Sequence, residues 1–143
     1  MVKRSVALAA FRGGEFLAAQ LDSILNQSLP PDEIILSDDS PDEATRQAVA
    51  PQLAAHPEIR YVRNPVPLGP DRNFEQAISM TTGDLIFLAD QDDVWKPEKI
   101  PRWPAGRSFA NCIRHIGWAA ASILFTKPAN TRTHFWISFP RWR

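Results

Sequence analysis

Four short strand-like segments alternate with longer segments of helical periodicity, and this alternation constrains the fold more than any other feature. Residues 5–11, 33–37 and 85–89 are apolar runs with the length of a buried strand, and residues 59–63 are predicted as a further short strand. Strands separated by helices of about ten residues require crossover connections, which make the strands parallel. Residues 1–100 are therefore predicted to form an α/β unit with three to four parallel strands.

The segments between the runs carry apolar residues at three- and four-residue spacing, which is typical of amphipathic helices. The first predicted helix starts at Glu15 and ends near residues 26–28. Further helices are predicted over residues 43–55 and 71–80. The side chains expected to face inward are Phe16, Leu17, Leu21, Ile24 and Leu25 in the first helix, and Phe74, Ala77 and Ile78 in the last.

Acidic residues directly follow two of the predicted strands. Asp38 and Asp39 come after the second strand, and residues 90–93, Asp-Gln-Asp-Asp, come after the fourth. The first strand runs into Arg-Gly-Gly at residues 12–14. Because loops at the carboxyl ends of parallel strands converge on one edge of an open sheet, five carboxylates are expected to gather there.

Carboxylates crowded at one edge repel one another unless a cation or hydrogen-bond donors compensate them. Mg²⁺ and Mn²⁺ prefer oxygen ligands and are often held by one or two carboxylates together with substrate phosphates, which suits Asp90 and Asp92. Asp38 and Asp39 would repel phosphate and are better suited to accept hydrogen bonds from a base or a ribose. The alternative is that these loops are solvated turns and helix caps.

Residues 5–100 closely resemble the N-terminal half of family 2 glycosyltransferases with the GT-A fold, particularly the bacterial rhamnosyltransferase-like members. The stretches that carry the resemblance are residues 8–28, 33–45, 63–78 and 83–100. The resemblance implies a Rossmann-like nucleotide-binding half-domain with a mainly parallel sheet. It also implies a transferase that uses a nucleotide-diphosphate sugar, a UDP- or dTDP-sugar, and a saccharide or lipid-linked acceptor.

The resemblance also assigns roles to particular residues. Asp90 and Asp92 match the family's D-x-D motif, whose carboxylates contact the ribose and coordinate Mg²⁺ or Mn²⁺ on the diphosphate. That cation would act as a Lewis acid on the departing nucleotide diphosphate. The residues implied around the base and ribose are Ala10, Phe11, Arg12, Asp38 and Asp39, and those implied to face the donor are Arg72 and Asn73.

Two departures from the family pattern bear on the identity of the donor. The family commonly has Thr-Tyr-Asn where this chain has Ala10, Phe11 and Arg12, so a hydroxyl and an amide are lost beside the nucleoside. Ser40 and Pro41 replace the common Gly-Ser after the acidic pair. Trp95, which follows the D-x-D motif, is predicted to pack behind the metal loop, because tryptophan is usually largely buried.

Residues 101–143 differ from the rest of the chain in charge. Residues 1–100 contain 9 Lys and Arg against 16 Asp and Glu, whereas residues 101–143 contain 7 Lys and Arg and no acidic residue. Four of the five Trp also lie there, and prolines leave residues 113–125 as the one stretch suited to a helix or strand. We therefore predict a partial family 2 domain over residues 1–100 and an irregular, basic, Trp-rich tail over residues 101–143.

The resemblance stops before the second half of the family's domain. A complete member needs further strands, an acceptor-binding region and a downstream carboxylate as general base. No Asp or Glu follows Glu98, so we expect a gene truncated or frameshifted after about residue 100. The alternative to glycosyl transfer is then a non-catalytic remnant that binds nucleotide and metal.

The tail has an alternative interpretation as an arm that binds nucleic acid or an anionic membrane surface. Its Arg residues share no single helical face, so nucleic acid is not the expected partner. Charged residues soon after Met1 argue against a signal peptide, and the single Cys112 excludes an intrachain disulfide framework. We predict a cytoplasmic protein, and peripheral contact with the inner face of the membrane stays open.

Overall fold

A computed structural model describes residues 3–100 of the chain and the backbone of residues 124–126. Four parallel strands lie in the order β3-β2-β1-β4, and a short fifth strand pairs antiparallel with β4 at the edge. The predicted α/β class with a mainly parallel sheet is therefore confirmed. The strands are β1 (Arg4–Ala10), β2 (Glu33–Asp38), β3 (Ile59–Arg63), β4 (Leu85–Asp90) and β5 (Leu124–Thr126).

Helices connect the parallel strands and cover the sheet. They are α1 (Gly14–Leu25), α2 (Ala44–Ala48), α3 (Ala50–Ala55) and α4 (Pro70–Met80). Successive residues of β1 contribute to two apolar clusters: Val6 and Leu8 belong to the one that includes α1, and Ala7 to the one that includes α4. This alternation follows from the period of two along a strand, and burial on both sides explains why β1 reads as a continuous apolar run.

The helix predicted over residues 43–55 is wrong, because the structure has two short helices there. Pro51 has no backbone N–H to continue the ladder of α2, and it lies instead in the first turn of α3. The inward position predicted for Phe16 is also wrong, since 66% of this residue is exposed. Gln20 is fully buried on α1, so the buried face is rotated away from Phe16.

The predictions for the tail lie almost entirely outside the described residues. These include its irregular structure, the basic arm and Cys112. Of the stretch over residues 113–125, only the backbone of residues 124 and 125 is described, as part of β5. Within the part of the chain that the structure describes, no helix is long and apolar enough to cross a membrane.

Candidate functional site

The register of the sheet brings three strand ends together at one edge. Ala10, the last residue of β1, pairs with Asp38, the last residue of β2. On the other side of β1, Ala9 pairs with Asp90, the last residue of β4. The loops that follow β1, β2 and β4 therefore start side by side at the carboxyl edge of the sheet, where ligands bind in open α/β sheets.

Asp38 is fully buried and its carboxylate is hydrogen-bonded inside the protein. Its Oδ1 accepts from the backbone N–H of Ser40 at 2.9 Å and from the Ser40 hydroxyl at 2.5 Å. Its Oδ2 accepts from the Tyr61 hydroxyl at 2.7 Å. Burial and this hydrogen bond to Asp38 raise the pKa of Tyr61, so the phenol keeps its proton and remains a donor.

Asp39 is also buried, and it holds the loop that precedes α4. Its Oδ1 accepts from the Asn64 side-chain amide at 2.6 Å, and its Oδ2 accepts from the backbone N–H groups of Leu68 and Gly69 at 3.0 and 2.9 Å. The backbone N–H of Asp39 donates to the carbonyl of Ala10 at 2.9 Å. In this arrangement Asp39 joins the ends of β1 and β2 to the start of α4.

Arg72 and Asn73 are neighbours in the first turn of α4 but differ in orientation. Arg72 is exposed, and its side chain forms no ion pair or hydrogen bond with the described residues. Asn73 is buried, and its amide donates to the carbonyl of Ala10 at 3.1 Å and accepts from the Asn64 amide at 3.2 Å. Asn73 is therefore turned into the interior, and the donor-facing position that the resemblance implies for it stays a prediction.

Phe11 and Arg12 form the turn that leaves β1. Phe11 is 48% exposed, and the Arg12 guanidinium carbon lies 5.3 Å from the centroid of its ring. Arg12 has a φ of 52°, in the left-handed region that non-glycine residues rarely occupy. The turn thus presents an aromatic face and a positive charge at the edge where the strand ends converge.

The acidic loop, residues 90–93, contains the carboxylates that the sequence predicts as cation ligands. Asp90 is exposed, and its Oδ1 accepts from the backbone N–H of Gln91 at 3.2 Å. Partial desolvation, together with the nearby charges of Asp92 and Asp93, raises the pKa of Asp90, although the Gln91 hydrogen bond opposes this shift. Repulsion among carboxylates is what a bound cation would relieve, so the loop fits Mg²⁺ or Mn²⁺.

The described residues do not contain a complete protein-only metal cage. Within residues 3–100, no group of three or more His, Cys, Asp and Glu side chains is placed to hold an ion. Mg²⁺ and Mn²⁺ sites are often completed by substrate phosphates and water.

The segment after the acidic loop is anchored to α1. Trp95 is buried in the apolar cluster that includes α1, which confirms its prediction as a packing residue, and its backbone N–H donates to the Ser23 hydroxyl at 2.9 Å. Gln27 donates to the carbonyl of Lys96 at 2.7 Å and accepts from the N–H of Ile100 at 2.9 Å. These contacts fix the chain on the C-terminal side of the acidic loop.

Sequence reasoning missed the side chains that hold the site residues in place. These are Ser40, Tyr61, Asn64 and Gln91. Asn64 directly follows β3, so the criterion that selected Asp38, a polar residue at the end of a strand, would also have selected it. Tyr61 lies within a strand, and no local pattern indicates that its hydroxyl reaches a neighbouring strand.

Comparisons with known proteins bear on the family and the fold of the chain. Residues 5–103 match the protein family described as Glycosyl transferase family 2. The abequosyltransferase RfbV of Salmonella typhimurium is 33% identical over 92 residues, which cover 62% of this chain and 28% of RfbV. The chain spans about a third of the length of the curated relatives it matches.

Solved structures share the fold. The mannosyltransferase PcManGT from Pyrobaculum calidifontis, in complex with GDP-Man and Mn²⁺, superposes with a TM-score of 0.62 at 21% identity over 68% of this chain and 30% of PcManGT. S. aureus TarS 1–349 in complex with UDP-GlcNAc gives a TM-score of 0.59 at 22% identity, over 67% of this chain and 28% of that one. The family match and the shared fold lead to one conclusion: the chain belongs to glycosyl transferase family 2.

Proposed function

We propose that this chain binds a nucleotide-diphosphate sugar together with Mg²⁺ or Mn²⁺, as the donor-binding part of a glycosyltransferase. The observation that carries the proposal is the register of β1, β2 and β4, which sets the loops after these strands side by side. Family membership supports it, as do the GDP-Man, Mn²⁺ and UDP-GlcNAc bound in the related structures.

In this proposal the nucleoside lies against the turn after β1. Phe11 is about half exposed, and a nucleobase could stack on the face of its ring that Arg12 does not cover. Asp38 lies at the same edge of the sheet, but each oxygen of its carboxylate already accepts a hydrogen bond. Because Asp38 is fully buried, a base or ribose would reach the remaining lone pairs of its carboxylate only where the loop after β2 yields to the ligand. Ala10 and Arg12 would line the same region.

The diphosphate would lie toward the acidic loop and the start of α4. Asp90 and Asp92 would hold the cation. The bound cation would neutralise the negative charge that develops on the departing nucleotide diphosphate. Arg72 is an exposed guanidinium without an acidic partner in residues 3–100, so its charge is available to a phosphate. The acceptor in this proposal is a saccharide or a lipid-linked saccharide, and contact with a membrane surface would accompany the latter.

Calorimetric titration of the chain with UDP, dTDP and GDP, with and without Mn²⁺, tests the proposal. We expect at least one nucleotide to bind, more tightly when Mn²⁺ is present. The absence of binding by all three under both conditions would reject the proposal.

A second measurement separates the two functional candidates. Transfer of the sugar to an acceptor, or hydrolysis of the donor, would indicate a catalytic role for this chain. Binding with neither reaction would favour the non-catalytic alternative.

A further inference from the structure

Two consecutive backbone N–H groups of the turn after β1 are bonded to side chains from the neighbouring loops. The N–H of Phe11 donates to Oε1 of Gln91 at 2.8 Å, and the N–H of Arg12 donates to Oγ of Ser40 at 2.8 Å. Gln91 belongs to the acidic loop after β4, and Ser40 belongs to the loop after β2. The turn is thus held between the two loops on either side of it.

The conformation of Arg12 needs such support. Its φ of 52° is the one positive φ at a non-glycine residue in the part of the chain that the structure describes. A left-handed residue with a Cβ is strained and persists where surrounding contacts impose it. The hydrogen bond to Ser40 is a contact of this kind, because it fixes the N–H of the strained residue itself.

The Ser40 hydroxyl uses its full bonding capacity. It donates to Oδ1 of Asp38 at 2.5 Å, accepts from Arg12, and lies 2.7 Å from the hydroxyl of Thr45. A hydroxyl has one donor and two acceptor positions, so Thr45 must donate here. Ser40 is 1% exposed. Its hydroxyl therefore connects a buried carboxylate to the turn, at a position where the family commonly has glycine.

Gln91 reaches the turn because Gly13 has no side chain that would block it. A Cβ on Gly13 would lie 3.0 Å from Oε1 of Gln91 and 2.9 Å from Cβ of Leu17. The glycine thus allows Gln91 to approach the backbone of the turn. Gln91 also stands between Asp90 and Asp92, the two residues proposed to hold the cation.

We propose that Ser40 and Gln91 are positioning residues that set the Phe11–Arg12 turn, and that Gln91 ties this turn to the acidic loop. The proposal rests on the proposed donor-binding function and extends it. The nucleoside end and the cation end of the site are then joined by one hydrogen bond, so a displacement of the acidic loop displaces the turn.

Four variants test this proposal, with amide exchange and nucleotide affinity as the readouts. Ser40→Ala removes the acceptor of the Arg12 N–H, and Gln91→Met removes the acceptor of the Phe11 N–H at similar length. Gln91→Glu keeps an acceptor oxygen. Ser5→Ala is a matched control, because the Ser5 hydroxyl is also buried, donates to a carboxylate at 2.5 Å and accepts a backbone N–H at 2.9 Å, but at the opposite end of β1.

We expect faster exchange of the Arg12 amide in Ser40→Ala and of the Phe11 amide in Gln91→Met. In each of these two variants, nucleotide affinity in Mn²⁺ should fall about three- to tenfold, the range that the loss of one net hydrogen bond corresponds to. Gln91→Glu should restore protection of the Phe11 amide. Ser5→Ala should lower stability to a similar extent as Ser40→Ala while leaving nucleotide affinity unchanged.

Three results would overturn the proposal. The first is unchanged exchange of Phe11 in Gln91→Met, or of Arg12 in Ser40→Ala. The second is an equal loss of affinity in Ser5→Ala and Ser40→Ala, which would make the effect one of general stability. The third is unchanged nucleotide affinity in both Ser40→Ala and Gln91→Met. If the unmodified chain binds no nucleotide, the donor-binding function fails, but the exchange measurements still decide whether the two side chains hold the turn.

Discussion

At the scale of one residue, Asp90 shows how a candidate cation ligand lowers the stability of the fold. Its carboxylate is partly desolvated at the end of β4 and faces the charges of Asp92 and Asp93, and its pKa is raised as a result. A raised pKa means that the folded state binds the proton more tightly than the unfolded state, so ionisation of Asp90 destabilises the fold. Such an arrangement is retained where a ligand benefits from the charge.

Replacement of Asp90 by Asn should therefore stabilise the metal-free protein at neutral pH. The gain is on the order of 0.5 kcal/mol, because the site is partly solvated. Its sign follows from the raised pKa: the penalty in the unmodified chain is absent below the ordinary pKa of Asp and is complete above the folded-state pKa. Urea unfolding of both proteins across this range should show a difference that disappears in acid. A variant that is less stable than the unmodified chain at neutral pH would contradict this account.

Asp92→Asn should weaken nucleotide binding in Mn²⁺ at least about tenfold and leave metal-free binding nearly intact. The physical reason is that an amide is a weaker cation ligand than a carboxylate, whereas the contacts of the base are elsewhere. Titration calorimetry with and without Mn²⁺ measures both affinities. Asp84→Asn is the control, since Asp84 precedes the opposite end of β4 and should change neither value. Equal losses with and without Mn²⁺ would remove Asp92 from the cation site.

At the scale of elements, the strands could be predicted and the contacts between loops could not. Strands buried on both faces read as apolar runs, and the parallel arrangement follows from the helices between them. The order of the strands then places Asp38 and Asp90 on either side of β1. Asp39 and Asn73 both contact Asn64, which follows a different strand and lies outside the loops that the sequence singles out, and no local pattern encodes these contacts.

Replacement of Asp39 tests whether this residue acts through its contacts between loops. Asp39→Ala leaves the N–H groups of Leu68 and Gly69 without their acceptor and removes one acceptor of the Asn64 amide, so we expect a loss of about 1–3 kcal/mol in the free energy of unfolding. Chemical denaturation measures it. Asp42→Ala is the comparison, because Asp42 is exposed and caps one N–H, that of Ala44. Unchanged stability with abolished nucleotide binding would instead make Asp39 a direct ligand of the nucleoside.

At the scale of the whole molecule, the candidate site depends on the integrity of the entire parallel sheet. The three loops that form it belong to β1, β2 and β4, and residues 64–69 link it to β3 and α4. A ligand at this edge therefore binds the folded sheet and has no equivalent site in the unfolded chain. Binding must then raise the free energy of unfolding of the sheet as one unit.

Thermal unfolding should show this linkage directly. With Mn²⁺ and a binding nucleotide at a hundred times its dissociation constant, the free energy of unfolding should rise by about 2.7 kcal/mol. Mn²⁺ alone should give a smaller rise, because the acidic loop lacks a full set of ligands within residues 3–100. Chelation of the cation should reverse the part of the stabilisation that requires Mn²⁺. The Asp92→Asn variant should lack this Mn²⁺-dependent part. If Mn²⁺ alone stabilises the protein as much as Mn²⁺ with nucleotide does, the cation binds without the diphosphate. The proposal that protein carboxylates and substrate phosphates share the coordination of the cation would then be wrong.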